Sequence, residues 1–557
     1  MRSLLRFVFM AILCLALPTP PMAAQRPQPE EPSIFGEVID VRVVNVEVVV
    51  TDRDGNRVRD LKPSDFRLKV DGKAVPIDFF TEVAGGQAAP SVAVAEPEAS
   101  AQAPSATPPA SVAPGGPVPT SYLVFVDDFF ATKIRRNEVL RALKDDLGRL
   151  GPEDKMAIVA YDGGRLTMVS NWSGSTNQLA RAFDEAMTRP ARGLDRVTEL
   201  RMFDSDEGFA SQAVGDDAAL DLSAAAPGGL NLRERAYGAT LSRQVEGAVG
   251  AVVSTLRAFA APPGRKVMLL LTGGWPFSIE SFVRNGNPTL TPEFPTGEKV
   301  LRELTNTANL LGYTIYPVDV PGAEASAADS TSFAAGAGNS LREQEVEGSL
   351  EFVAKETGGQ ALRNSNRTAA FRQAGEDTRS YYWLGFTPTW ERNDKRHRVE
   401  VEMTRPGLRV RTRNSFLDLS KKAEVTMMVE SAMLFGNLPG SIPMPVQLGT
   451  PKPGKRGMVE IPVTLGLPVD ILTVVPVNGK YRAEAELRIA ATDKDGNGSD
   501  VPVTPLKLAS DKPPKAGGFV RYDTKITLRG KATHLVLAVY DPLSGKIAIG
   551  EADLKLP

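Results

Sequence analysis

The sequence predicts a multidomain protein: an α/β domain with a doubly wound, mostly parallel sheet, inserted in or flanked by immunoglobulin-like β-sandwich domains. Three observations point there. Residues 122–126 form an apolar run that ends in Asp127-Asp128 and leads into a basic amphipathic helix, the pattern of a strand whose carboxyl end borders a ligand crevice. Strand and helix patterns then alternate to about residue 319. On either side period-two patterns replace them. Val44, Val46, Val48 and Val50 share one face of a strand, and Val399, Val401 and Met403 lie opposite Glu400, Glu402 and Thr404.

The chain begins with a targeting pattern. Arg2 and Arg6 flank an apolar run over residues 7–17, Pro18 ends it, and Met22-Ala23-Ala24 follows. A run this short is a cleavable signal peptide, residues 1–24, and not a membrane span. The mature protein is expected to be secreted or periplasmic. The single cysteine, Cys14, lies inside that run with the bulky Leu13 before it, a poor lipoprotein cleavage box, so the mature chain carries neither disulfide nor thiolate. No later segment reaches the roughly 18 apolar residues of a spanning helix.

At 557 residues, about three domains are expected. Residues 37–83 are β structure too small to close a sandwich alone, and residues 84–119 form an Ala/Pro-rich linker. The α/β domain covers residues 120–378. Within it Leu140, Leu143, Leu147 and Leu150 mark the first helix, residues 156–161 a second strand, and Leu179, Ala182, Phe183, Ala186 and Met187 the next helix. Residues 189–229 break the rhythm and are expected to be an insertion over the crest. A helix at 232–259, a strand at 267–271, a helix ending at Gly312 and a strand at 314–318 resume it. Strands at 381–386, 397–404 and 408–413 need a sheet to join, so residues 379–416 are expected to complete one sandwich with 37–83. Residues 423–557 form a second sandwich, with Tyr481, Ala483, Ala485, Leu487 and Ile489 alternating against polar neighbours.

The strand-Asp-helix unit, answered by Lys266-Val-Met-Leu-Leu-Leu-Thr272-Gly-Gly274, resembles the von Willebrand factor type A domain. Most of the mature chain resembles the VWFA-related domain family of exported acidobacterial proteins. The carrying residues are Val48-Val-Val-Thr-Asp-Arg-Asp-Gly55, Leu61-Lys-Pro-Ser-Asp-Phe66, Leu271-Thr-Gly-Gly-Trp-Pro276, Ala354-Lys-Glu-Thr-Gly-Gly359 and Tyr381-Tyr-Trp-Leu-Gly-Phe-Thr-Pro388. The resemblance implies an exported binding or scaffold protein, and a non-enzymatic binding or adhesion-type role is expected. It also implies a metal-ion-dependent adhesion site on the crest, which here is degenerate: Asp127 keeps the first ligand, Phe129 and Ala131 replace two serines, and Gly273 replaces an aspartate.

The candidate cation ligands are therefore Asp127, with Asp128, Thr132 and Thr272 as helpers. A hard cation needs about six oxygens, so no cofactor is expected. Residues 228–231, Gly-Gly-Leu-Asn, are the best match to the second ligand loop. Phe129, Phe130, Trp275, Pro276 and Phe277 follow two neighbouring strands and form a candidate partner-binding patch, the alternative being that residues 189–229 fold over them as a lid and make them core. The run Asp493-Lys-Asp495-Gly-Asn497-Gly498 opens like a calcium loop but has Thr504 at its twelfth position, so a hairpin turn is expected, as at 52–56. His397 and His534 are expected on strand surfaces. With 65 basic and 67 acidic residues interspersed, nucleic acid is not an expected partner. An unidentified protein or envelope component is. The alternatives are an envelope scaffold without a ligand of its own, or a carboxylate-dependent hydrolase.

Overall fold

This computed structural model describes residues 43–90, 92–93, 116–212, 230–259, 265–284, 293–320, 335–390, 393–418, 420, 422–423, 425–426, 429, 442–454, 457–493, 501–530 and 532–554. The expected signal peptide with Cys14, most of the linker, Gly228-Gly229 and residues 494–500 of the Asp493 loop lie outside the described residues.

Alternating valines set the first strand. Val44–Thr51 turns Val46, Val48 and Val50 into a core with Leu68, Phe80, Tyr382, Leu384 and Phe386. It runs antiparallel between Ser380–Phe386 and Arg409–Thr412, and Phe79–Ala84 pairs with the far side of Ser380–Phe386. A second sheet sets Arg396–Met403 between Phe66–Val70 and Ser415–Leu417. Segments from both sides of the α/β domain thus build one sandwich. Tyr382 packs its ring at 5.3 Å from Phe66 and 5.7 Å from Phe80, so aromatic side chains from the two segments share one core.

In the α/β domain the strand order is Tyr313–Asp319, Arg265–Thr272, Thr120–Asp127, Lys155–Tyr161, Leu166–Ser173. The first four are parallel and the last is an antiparallel edge. Thr120–Asp127 is buried throughout, which is why it lacks a polar face. Its Leu123 and Phe125 join one core with helices Leu232–Ala258 and Gly297–Leu311, and its Tyr122, Val124 and Val126 join another with Lys133–Asp145 and Thr176–Thr188. From the central strand the chain builds outward on one side and then crosses to the other. The switch point lies between Thr120–Asp127 and Arg265–Thr272, and their carboxyl ends carry Asp127 and Thr272.

Two elements differ from the sequence reading. Leu166–Ser173 is a strand, although its burial alternates irregularly and its pairing with Lys155–Tyr161 is bulged, which hides the period-two signal. Residues 189–229 break the helical rhythm in sequence, yet Gly193–Gln212 is a helix.

The C-terminal β domain has two sheets. One carries Lys480–Asp493, Val503–Ser510, Ala532–Tyr540 and Ile547–Asp553; the other carries Met458–Pro468 paired along its length with Phe519–Arg529. Ile461, Val463, Leu465, Leu487, Leu535, Leu537 and Val539 fill the space between them. Among the described residues, no helix is long and apolar enough to cross a membrane.

Candidate functional site

The switch-point crevice holds Asp127, wholly buried. A carboxylate there needs donors, and the fold supplies four. Oδ1 accepts from the backbone N–H groups of Phe129 and Phe130, both at 3.2 Å, and Oδ2 accepts from Thr272 Oγ1 at 2.7 Å and Trp275 Nε1 at 3.1 Å. Burial is the largest influence on this group and pushes its pKa up to about 6 against the pull of those hydrogen bonds.

The four candidate cation ligands do not converge. Thr272 reaches Asp127, but Asp128 turns away: its Oδ1 pairs with Arg136 Nη1 at 2.5 Å and its Oδ2 with Arg189 Nε at 2.8 Å. Thr132 stands at the start of helix Lys133–Asp145, where its carbonyl accepts from Arg136 N. Asn231, from the expected second ligand loop, caps helix Leu232–Ala258 in a reciprocal box with Glu234. Among the described residues no three His, Cys, Asp or Glu side chains are grouped to hold a metal.

The crest is closed by close backbone approach. At Gly273 a Cβ would lie 2.2 Å from the Phe130 carbonyl oxygen, and at Gly193 a Cβ would lie 2.5 Å from that of Ala131. A side chain at 273 therefore has no space. The segment after residue 188 is tied down over this loop, with Arg192 N donating to Asp128 O at 2.7 Å and Gly193 N to Ala131 O at 3.0 Å. Arg196 lies over the Phe129 ring at 4.6 Å, and Val197, Leu200 and Phe203 join the same buried cluster.

This corrects the expected partner-binding patch. Trp275 is 1% exposed, Phe129 7% and Phe130 6%. Pro276 is buried, and Phe277 is half-buried with its ring 5.6 Å from that of Phe352. The physical reason is the helix Gly193–Gln212 on one side and Ala335–Thr357 on the other: Val346 of the latter stands where a Cβ on Gly274 would be. Four of the five residues at these two strand exits are buried, and Phe277 packs half-buried beside them.

The histidines also differ in part. His397 is 8% exposed, with its ring centroid 4.8 Å from Trp390 and 5.2 Å from Phe416, and Nδ1 2.7 Å from Asp71 Oδ2. His534 is half-buried against Asp553 at 2.9 Å. At residues 52–56 the Asp52 carboxylate accepts from Asp54 N, Asn56 N and Asn56 Nδ2, which makes a side-chain-closed turn.

What the sequence did not reveal is a groove of about 610 Å³ where the sandwich meets the α/β domain. Glu351, Lys355 and Arg363 line one wall; Arg398, Val401 and Val410 are among those lining the other. Both sandwich sheets end there. Arg398 O accepts from Asp71 N on one side of its strand, while Val399 N donates to Asn414 O on the other. Strand alternation therefore turns the backbone groups of Val401 and Met403 toward the side of Val399, where Ser415–Leu417 pairs only with residues 396–398. Arg409–Thr412 is likewise the last strand of its sheet. Among the described residues, the groove is bordered by two unpaired strand edges. Only a topology linking residues near 400 to those near 355 makes it, so no local motif announces it.

No protein-family model matches the chain, and no curated protein matches it. Among solved structures it is similar to the pilus adhesin SpaC from Lactobacillus rhamnosus GG in its open conformation, at 8% sequence identity and a TM-score of 0.20 over 78% of this chain; the chain spans 56% of that adhesin chain.

Proposed function

We propose that the protein is an exported, non-enzymatic binding protein, with a divergent von Willebrand type A domain carried on a β-sandwich, and that it holds an extended segment of a partner polypeptide in the junction groove. The signal pattern of residues 1–24 supports export. The doubly wound sheet, with Asp127 and Thr272 at adjoining strand ends, supports the type A reading. The observation that carries the binding role is the pair of open strand edges beside a groove of about 610 Å³. Free edge N–H and C=O groups add a strand from another chain, and flanking side chains select it. Arg363 and Arg398 pair with Glu351 and Glu400 in the lining and Arg411 with Asp377, so Lys355 is the charge that favours a segment with acidic residues.

A hydrolase would need shifted carboxylates in an open site. Burial lifts both Asp127 and Asp319 to about 6, but neither lines the groove, and Asp127 has all its donors inside the protein.

The test is a library of extended peptides screened against the full chain, with Val401→Pro as the discriminating variant. Proline removes an outward N–H without touching the ladder to Phe66–Val70, which uses the alternate residues. We expect acidic extended peptides to bind, and Val401→Pro to weaken them by about tenfold, the scale of one hydrogen bond, with an unchanged unfolding midpoint. Peptide binding that survives Val401→Pro, or no binding at all, would refute the groove as the site.

A further inference from the structure

Beneath the groove, the junction between the α/β domain and the sandwich gathers more positive than negative charge, with Arg265 wholly buried and Arg57, Arg411 and Arg413 half-buried. Arg57 and Arg411 share the single carboxylate of Asp377, which is fully buried and also accepts from Tyr316 Oη at 2.6 Å. Arg265, 1% exposed, stacks 4.1 Å from the centre of the Tyr381 ring, and its nearest carboxylate, Glu47, stands 3.5 Å from Nε. Arg413 donates to neutral carbonyls, those of Asn309 and Asn45. Four guanidiniums thus face two carboxylates.

The surplus has unmet donors. Among the described residues, Nε and Nη1 of Arg265 and Nη1 of Arg411 are buried with no hydrogen-bond partner. A cavity of about 10 Å³ lies among these groups, lined by Glu47, Arg265, Tyr313, Gly358, Arg411 and Arg413. Burial lowers the Arg413 guanidinium below its ordinary pKa against the pull of Glu47, with a smaller repulsion from Arg265. The burial of Arg265 is offset by Glu47, and its pKa is raised, but the three buried donors still lack hydrogen-bond partners, and such donors are costly.

We propose that this cavity binds one small monovalent anion, a halide, which the buried edges of Arg265 and Arg411 ligate and which completes the charge balance between the two domains. The volume has room for one particle of about water's size. That excludes phosphate and sulfate and admits chloride with a small outward shift of the arginine side chains. Water would satisfy the donors while leaving the charge, so it is the competing occupant.

Two measurements on the full chain decide between them. Crystals grown in bromide should give an anomalous peak in the cavity. In solution at constant ionic strength, replacing gluconate by chloride at about 0.15 M should raise the thermal midpoint by about 2–4 °C with a saturating dependence, and Arg265→Gln should abolish the rise. A cavity without an anomalous peak, or equal midpoints in the two salts, overturns the proposal. If Arg265→Gln fails to fold, the two measurements on the unmodified chain still decide.

Discussion

Asp127 shows how burial can outweigh a full set of hydrogen-bond donors. Its four donors all come from within the fold, and burial still outweighs them, so the carboxyl sits near 6. In the unfolded chain it returns to about 3.9. Because the folded value is raised, the stabilising effect of protonation is complete below about 4 and is lost as pH rises through about 6, a swing of about 3 kcal/mol for two units. Asp319, half-buried with burial as its largest influence, adds a second swing in the same window. Asp127→Asn should therefore flatten the pH dependence of the unfolding free energy between pH 4 and 7 by one component and leave that of Asp319. Urea titrations at four pH values would check it, and an unchanged slope would place the proton elsewhere. Trp275, whose indole N–H contacts the same oxygen as Thr272, should show a fluorescence change with the same midpoint, absent in the variant.

At the scale of the element, helix Lys133–Asp145 is fixed to the crest by one arginine. Arg136 is fully buried and reaches Asp128, Asn137 and the carbonyls of Met187 and Arg189. Arg136→Met leaves the buried Asp128 with Arg189 as its remaining cation, so the loss should fall near the lower end of about 3–5 kcal/mol, with Asp128→Asn recovering part of it in the double variant. Denaturant midpoints would measure both. The crest loop gives a second case. Gly273→Asp places a Cβ 2.2 Å from Phe130 O, so it should destabilise by about 1–3 kcal/mol or more and bind no magnesium in calorimetry.

These elements also show what the sequence could reveal. The strand ending in Asp127 was legible because an unbroken apolar run closed by an acid suits a strand buried on both faces and ending at a sheet's crest. Arg136 was legible in principle, since it lies on the face of Leu140 and Leu143 at i+4 and i+7, but a basic residue in that position blends into the basic character of the whole helix. The burial of Trp275 was legible only as one of two readings, the one in which residues 189–229 fold over the crest as a lid. It depends on helices Gly193–Gln212 and Ala335–Thr357 arriving over it, and neither helix has a clear apolar stripe to announce where it packs. The groove is less legible still, because two strand edges remain unpaired only once the whole sandwich has closed.

For the whole molecule, the interleaving of the sandwich and the α/β domain ties together regions remote in sequence. The strands from residues 43–93 share their core with those from residues 380–418. The isolated fragment 43–93 should therefore show no cooperative thermal transition and fast amide exchange, while the same amides are protected in the full chain. On the side of the return, helix Ala370–Arg379 runs straight into strand Ser380–Phe386. That arrangement sets the order of failure under mechanical load. A pull applied at residues 43 and 413 enters and leaves through one sandwich, and because Val48 pairs with Thr412 and Thr51 with Arg409, the two loaded ends lie at the same end of an antiparallel ladder. Force would peel that ladder one hydrogen bond at a time rather than shear it. The α/β domain carries no tension until Ser380–Phe386 comes away; then its residues become slack, and the tethered molecule lengthens abruptly without having been pulled through its own core.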